Sequence, residues 1–271
     1  MKSIITALVL GLMNTLAAAA TLEIVADGRR LTYTESQLLA RRDVQTLSIE
    51  DSVYQRRFTR FKAIPIARLF EGLSIPPAAV IQCNAVDGFS VILDQARLFS
   101  ADPGASKAYL AIEDPKHPWP GLDGTPRSAG PFYLVWTNPQ ASRIGREEWP
   151  YQLASLRIVS DPRAAFPRAY PAAGTPSAVT SGFQVFRKNC SACHKMNGDG
   201  AATIGPDLNL PRNPTEYFDP TALARLIRNP ASLRTWPGMV MRGFSEGAIS
   251  DSELADLIAY LRYMSGTKTR P

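Results

Sequence analysis

Five consecutive residues hold most of the reactive side chains of this 271-residue sequence: Cys190-Ser-Ala-Cys-His194. The whole chain has three cysteines and two histidines, so two of its thiols and one imidazole lie here. Thiols three residues apart can form a redox disulfide, supply half of a zinc site or bind the two vinyl groups of a porphyrin. The imidazole after the second thiol can then bind the iron from one face. The C-x-x-C-H order predicts attachment of one c-type haem through Cys190, Cys193 and His194.

Two other uses of a C-x-x-C pair fit the sequence less well. A zinc site needs two further ligands, but the remaining cysteine and histidine, Cys83 and His117, lie far away in the sequence. A thioredoxin-type motif follows a strand, whereas this pair follows a predicted helix. We therefore interpret Cys83 as a small buried core residue and His117 as an exposed loop residue.

The N-terminus has the pattern of a secretory signal. Lys2 precedes an apolar run over residues 4–16, and three alanines at 18–20 offer a cleavage site. We expect residues 1–20 to be a signal peptide and the mature protein to lie in the periplasm, where c-type haem is attached. An uncleaved N-terminal anchor is the alternative. No later stretch is apolar enough to cross a bilayer, so we expect no integral membrane segment after cleavage.

The net charge of the chain is +6, without long runs of lysine or arginine. This mild basicity favours docking onto acidic faces of other proteins. It does not favour binding of nucleic acid, for which a basic stripe would be expected.

The sequence patterns predict two domains of different class. Short alternating and β-rich apolar segments predict an α+β domain over residues 21–160. Residues 161–176 are rich in proline and alanine and predict a semi-extended linker. Residues 177–271 have helical periodicity and predict an all-α domain, whose last helix begins at a capping box of Ser250 and Glu253.

The C-terminal domain resembles the class I cytochromes c beyond the five-residue motif. That family has a glycine and a phenylalanine eight and four residues before the first haem cysteine, and Gly182 and Phe186 hold these positions. Its last helix presents a leucine and, three residues later, an aromatic residue, which Leu257 and Tyr260 match. The resemblance implies that Gly182 lets two helices approach closely, because a side chain would separate them.

The resemblance also implies which residues surround the iron. Pro206 matches a proline whose carbonyl oxygen accepts a hydrogen bond from the haem histidine, here His194. Met241 begins Met-Arg-Gly-Phe, which matches a family segment Met-Pro-x-Phe except for the arginine. A thioether ligand raises the reduction potential, as suits an electron carrier. We predict His194 and Met241 as iron ligands, with Met239 as the alternative to Met241.

The N-terminal domain resembles a shortened molybdopterin-binding domain of the sulfite-oxidase-like enzymes. Residues 61–70, 87–90 and 130–136 match three segments that occur in this order in the family. The family's molybdenum-binding cysteine would fall within residues 47–52, where this sequence has none. We therefore expect a cofactor-free domain that serves docking or holds the haem domain in place.

The predicted protein is thus multi-domain, with an α+β sulfite-oxidase-like domain of reduced size and an all-α class I cytochrome c domain. The predicted function is periplasmic electron transfer between a dehydrogenase and a downstream acceptor, such as an oxidase or another cytochrome. No arrangement of acids and bases indicates an enzyme. One alternative is a haem-containing sulfite-dehydrogenase-like molybdoenzyme, or its cytochrome subunit, in which Cys83 would bind molybdenum. The other is a redox or gas sensor whose haem iron has a weak sixth ligand or none.

Overall fold

The structure, a computed structural model, describes residues 20–26, 28–51, 53–54, 57–122 and 125–268. All but the last residue of the predicted signal peptide lie outside these ranges. Within them, no helix combines the length and the apolar character that a membrane span requires.

The N-terminal region is rich in β-sheet. Its strands are β1 (Thr21–Ala26), β2 (Arg29–Thr34), β3 (Gln45–Asp51), β4 (Arg57–Pro65), β5 (Val80–Ala85), β6 (Ser90–Asp94), β7 (Lys107–Ile112), β8 (Phe132–Thr137) and β9 (Leu153–Val159). Two short helices, α1 (Glu35–Leu39) and α2 (Gln95–Leu98), follow β2 and β6. One sheet has the order β2-β1-β9-β5-β6 and the other β3-β4-β7-β8. Neighbouring strands are antiparallel, except for the parallel pair β1 and β9.

The two sheets share one apolar core. It contains Ile24 and Ile81 from the first sheet and Phe61 and Leu110 from the second. Residues 132–136 of β8 are all buried, as the continuous apolar run in the sequence predicts for a strand covered on both faces. Removal of this apolar surface from water is the main force that holds the sheets together.

One carboxylate lies inside this core. Asp51 is fully buried, and its Oδ1 accepts hydrogen bonds from the hydroxyl of Tyr133 at 2.9 Å and from the backbone N–H of Val53 at 2.7 Å. Its Oδ2 has no hydrogen-bond partner among the residues that the structure describes. Because burial disfavours the charged form, the pKa of Asp51 is raised above its ordinary value of 3.8.

We expect the raised pKa of Asp51 to make the stability of this domain depend on pH. Between the ordinary and the raised pKa, the folded chain keeps a proton that the unfolded chain releases, so the free energy of unfolding falls as the pH rises through this window. Asp51→Asn keeps an oxygen acceptor and carries no charge, so it should flatten this part of the profile. Urea unfolding between about pH 4 and 7 measures the effect. The exposed Asp102→Asn is the control, and an Asp51→Asn profile that matches it would contradict the prediction.

The C-terminal region is helical. Its helices are α3 (Pro162–Ala165), α4 (Ser177–Asn189), α5 (Pro220–Arg228) and α6 (Asp251–Ser265). The predicted capping box of α6 is present: the hydroxyl of Ser250 accepts from the backbone N–H of Glu253 at 3.2 Å, and the Glu253 carboxylate accepts from the backbone N–H of Ser250 at 2.7 Å. These bonds satisfy donors that a helix N-terminus would otherwise leave unpaired.

Helices α4 and α6 approach each other at a glycine. A Cβ atom at position 182 would overlap the carbonyl oxygen of Asp256 and lie 2.8 Å from the Cβ of Tyr260. The ring of Tyr260 packs on Phe186, with 5.3 Å between the ring centroids. The close approach of two helices at Gly182, which the resemblance implies, is therefore confirmed.

Residues 161–176 differ from the semi-extended linker that their composition predicted. The segment contains α3, and Arg168 forms an ion pair with Asp199 at 2.9 Å. Ala169 is buried in the core of the helical region, and its carbonyl oxygen accepts a hydrogen bond from the hydroxyl of Tyr260 at 2.7 Å. The segment packs on the helical region because distant residues supply its hydrogen-bond partners, which the local composition does not reveal.

The two regions are joined by polar contacts. The guanidinium of Arg187 in α4 donates to both carboxylate oxygens of Asp94, at 2.7 and 3.2 Å. The backbone N–H of Thr203 donates to the carbonyl oxygen of Gly88 at 3.0 Å. Gly88 has a φ of +93°, and a Cβ atom there would overlap the hydroxyl of Thr203, so this contact requires glycine.

Candidate haem site

Helix α4 leads directly into the C-x-x-C-H motif. Cys190 is the C-cap of α4, and its backbone N–H donates to the carbonyl oxygen of Phe186 at 2.8 Å. The backbone N–H of His194 donates to the carbonyl oxygen of Cys190 at 2.9 Å, which continues the chain through another turn. Both Cys190 and Cys193 are free thiols. The motif is therefore a compact turn with its thiols unbonded.

The imidazole of His194 is held by the loop that follows it. Its Nδ1 lies 2.7 Å from the carbonyl oxygen of Pro206. A Cβ atom at Gly205 would overlap the imidazole ring, so the glycine leaves the space that the ring occupies. Burial lowers the pKa of His194, against a smaller opposing effect of the Pro206 carbonyl. A neutral imidazole that donates from Nδ1 keeps its lone pair on Nε2, where it can bind iron.

The surroundings of the Cys190 and Cys193 thiols disfavour their deprotonated form. Burial raises the pKa of Cys190 and of Cys193 to about 12, and the carboxylate of Glu147 contributes to both shifts. Redox-active cysteines instead have lowered pKa values, because nearby positive charge stabilises the thiolate. Within the described ranges, no group of three or more His, Cys, Asp or Glu side chains is placed to hold a metal ion. Neither the disulfide nor the zinc interpretation gains support here.

The two candidate methionines lie in the loop between α5 and α6. Met239 and Met241 are both half-buried. The loop is tied to the end of α5 at Phe244, whose backbone N–H donates to the carbonyl oxygen of Ile227 at 3.0 Å and whose carbonyl oxygen accepts from Arg228 at 3.1 Å. These contacts hold the segment next to Met241, but they do not distinguish it from Met239. Met241 as the sixth ligand stays a prediction.

A carboxylate that the sequence analysis did not single out organises the loop after His194. Asp207 accepts hydrogen bonds from four backbone N–H groups, those of Asn197, Gly198, Asn209 and Leu210, at 2.6 to 3.2 Å. Asp207 directly follows Pro206, so these bonds also fix the proline carbonyl. Asp and Asn at the start of a tight turn are a recognised signal for such bonding.

Buried asparagines connect this loop to α6. The amide of Asn209 donates to the Asn197 side chain and to the carbonyl oxygen of Met264, both at 2.7 Å. The amide of Asn213 donates to the Asn209 side chain at 2.8 Å and to the carbonyl oxygen of Leu261 at 2.9 Å. Buried amides must find such partners, and here they join the His194 loop to the last helix.

The N-terminal domain covers the middle of the motif. The backbone N–H of Ser90 donates to the carbonyl oxygen of Ala192 at 3.0 Å. Ala192 is fully buried and belongs to the apolar core of the N-terminal domain. One residue of the C-x-x-C sequence is thus packed by the other domain, a contact that no local pattern could have revealed.

Residues 179–265 match the family model described as Cytochrome c. This segment is a cytochrome c domain. It includes the C-x-x-C-H motif, Pro206, Met239 and Met241. A comparison with curated proteins finds no match to the chain. The resemblance of the N-terminal domain to the sulfite-oxidase-like enzymes is not shown by these comparisons and stays a prediction.

A cytochrome c domain implies covalently bound haem c, and the residues present fit that group. Cys190 and Cys193 supply two free thiols, and His194 supplies a neutral imidazole directly after them. Gly205 and Pro206 form a cradle that orients this imidazole. The donor set and its support are those that covalent haem attachment requires.

The third cysteine and the second histidine lie where the sequence predicted. Cys83 is fully buried in β5, and burial raises its pKa to about 12. Burial within the apolar core is the environment expected of a small structural core residue. The side chain of His117 lies on a loop and is 82% exposed, with its Nδ1 at 3.3 Å from the Oδ2 of Asp114.

Proposed function

We propose that this protein carries single electrons in the periplasm between a dehydrogenase and a downstream acceptor, such as an oxidase or another cytochrome. One covalent haem c would be the carrier. The observation that supports this most is His194, oriented by Pro206 at 2.7 Å directly after a C-x-x-C pair within a cytochrome c domain. Haem, when bound, supplies reversible one-electron exchange between ferric and ferrous iron.

Each residue of the proposed haem site would have its own role. Cys190 and Cys193 would hold the macrocycle covalently through thioether bonds. His194 and Met241 would bind the iron. Pro206 fixes the imidazole plane and, by accepting a hydrogen bond from Nδ1–H, makes the lone pair on Nε2 more basic. A pair of ligands that does not change between states keeps the structural reorganisation small, which suits a carrier.

The N-terminal domain would hold the haem domain in place and carry no cofactor of its own. The buried Ala192, the contact of Gly88 with Thr203 and the Arg187–Asp94 ion pair support a fixed docking of the two domains. The side chain of Arg187 is only 25% exposed, so its pairing with Asp94 is better shielded from water than a surface ion pair. The net charge of +6 favours partners with acidic faces.

Production of the full chain with its leader, in a host that attaches c-type haem, tests this proposal. We expect the protein in the periplasmic fraction with one iron and no molybdenum per chain. Its haem should be fully reduced by ascorbate and fully reoxidised by ferricyanide over repeated cycles. Stoichiometric molybdenum would favour the sulfite-dehydrogenase-like alternative, and a chain that carries no haem would overturn the proposal.

The sixth ligand can be identified with two matched variants. We expect Met241→Ala to lose the weak long-wavelength absorption band of ferric haem that reports a bound thioether, whereas Met239→Ala keeps it. The reduction potential of Met241→Ala should fall as well, because a thioether favours ferrous iron. Loss of the band in Met239→Ala alone would assign that residue instead. Absence of the band from the unmodified protein would favour the sensor alternative.

A further inference from the structure

A short helical turn of the N-terminal domain lies between two segments of the haem site. It spans residues 146–148. The guanidinium of Arg146 lies 5.6 Å from the centroid of the Phe244 ring, in the loop that holds Met241. Just before the turn, the carbonyl oxygen of Arg143 accepts a hydrogen bond at 3.5 Å from the ammonium of Lys188, in the last turn of α4. The turn and the residues just before it thus lie next to the segment that precedes Cys190 and the segment that follows Met241.

The core of the N-terminal domain fixes this turn. The buried Glu148 forms an ion pair with Arg97 at 2.6 Å and accepts a hydrogen bond from the backbone N–H of Gly145 at 2.7 Å. The indole of Trp136 donates to the carbonyl oxygen of Glu148 at 2.7 Å. Because Trp136 is itself buried in β8, the residues before Glu148 have little freedom to move relative to the sheet.

The two outer residues of the turn form an asymmetric ion pair. The guanidinium of Arg146 donates to the Glu147 carboxylate at 2.9 and 3.1 Å. The Glu147 side chain is 16% exposed and that of Arg146 is 42% exposed, so the carboxylate is the better shielded partner. Arg146, which binds this carboxylate, also contacts the ring of Phe244, three residues after the predicted ligand Met241. Both charges therefore lie beside the segment that contains Met241, and their unequal exposure keeps them from cancelling there.

We propose that Arg146 and Glu147 set the reduction potential of the haem from the N-terminal domain, with Glu147 lowering the potential and Arg146 raising it. A negative charge near the iron favours the ferric state and a positive charge favours the ferrous state. The effect is stronger for a shielded group, because the effective dielectric is lower away from water. This inference rests on the proposed haem at Cys190, Cys193 and His194. It gives the N-terminal domain a part in the redox chemistry in addition to its role in holding the haem domain.

Spectroelectrochemical titration of the haem-loaded full chain tests the proposal through the sign of the shifts. We expect Glu147→Gln to raise the midpoint potential, so that the ferric-to-ferrous ratio at a fixed potential falls about threefold. At 59 mV per tenfold change of this ratio, the shift of the midpoint potential is about 30 mV. Arg146→Gln should lower the potential. Arg146→Lys keeps the charge and should stay close to the unmodified protein.

The exposed ion pair of Arg68 and Glu71 supplies the matched control. Both side chains are more than half exposed, and they lie in the same domain. Arg68→Gln and Glu71→Gln make the same charge changes, and we expect neither to shift the potential, because water screens them.

Shifts of the same sign in Glu147→Gln and Arg146→Gln would overturn the proposal, because they would report loosening of the contact between domains. Shifts of equal size in the control pair would also overturn it, because they would report net charge alone. Should Glu147→Gln accumulate poorly, Arg146→Gln and Arg146→Lys carry the test, since they alter an exposed side chain. A chain without haem would instead contradict the proposed function, so the two failures are distinguishable.

Discussion

Replacement of both Cys190 and Cys193 by alanine should yield a chain that carries no covalently bound haem. The two thiols are the groups that would form the thioether bonds, and each is free in the structure. Haem in this variant could be held only by the iron ligands, and such haem is lost when the protein is denatured. Mass spectrometry of the denatured protein should therefore show the mass of the polypeptide alone, whereas the unmodified chain should show one added haem.

Each single variant adds information about the two attachment points. Cys190→Ala and Cys193→Ala leave one thiol next to His194, so we expect a lower yield of covalent haem with one remaining thioether bond. Its spectrum should shift, because an unreacted vinyl group stays conjugated with the ring.

The control for these variants is Cys83→Ala. Cys83 is fully buried in β5 of the N-terminal domain, and its thiol pKa of about 12 keeps it protonated and unreactive. We expect this variant to carry the same covalent haem as the unmodified chain. Covalent haem in the Cys190/Cys193 double variant, or its loss from Cys83→Ala, would refute the assignment of the motif.

Gly182→Val should destabilise the haem domain more than any surface substitution. The added Cβ would overlap the carbonyl oxygen of Asp256, which belongs to the backbone of α6. A backbone atom cannot move away by changing rotamer, so α4 and α6 must separate. Overpacking of a core costs about 1–3 kcal/mol, and a clash between two helix backbones should reach or exceed the upper end of that range.

The separation of the helices should also reach the haem motif. Cys190 caps α4, so a shift of this helix moves the thiols relative to the Pro206 loop that orients His194. We therefore expect a lower yield of haem-loaded protein from Gly182→Val. Urea unfolding followed by circular dichroism measures the loss of stability, and the absorbance of the purified protein measures the haem content.

Gly247→Ala is the control for the glycine effect. In the same domain, a Cβ atom at position 247 would meet only the hydroxyl oxygen of Ser245, at 3.9 Å, and the position has no left-handed φ. We expect its unfolding midpoint to stay within the range of ordinary surface substitutions, about 0.5 kcal/mol. Gly182→Ala should lie between the control and Gly182→Val. Equal stability of Gly182→Val and the unmodified chain would contradict the close approach of α4 and α6.

Features that depend on short spacings were predictable from the sequence alone. The order of thiols and imidazole in residues 190–194 defines the candidate site without knowledge of any distant contact. The capping box at Ser250 and Glu253 sets where α6 begins, because both partners lie within one turn. The apolar run of β8 and the buried Cys83 also follow from local patterns. In each case the interacting atoms are neighbours along the chain or belong to one periodic element.

Features that depend on contacts between distant residues were decided by the tertiary structure. Residues 161–176 have the composition of a semi-extended linker. Arg168 nevertheless forms an ion pair with Asp199, and the Ala169 carbonyl oxygen accepts a hydrogen bond from Tyr260. The asparagines that tie the His194 loop to α6 could be recognised as turn residues but not as a connected network.

The contact between the two domains is the clearest of these cases. Ala192 lies in the middle of the motif, and its burial in the core of the N-terminal domain required the fold of both domains. The contact of Arg146 with Phe244 likewise joins residues more than ninety positions apart. Sequence spacing thus determined which residues can hold a haem, whereas packing between domains decided which charges lie beside them, because such contacts depend on distance in space and not on position along the chain.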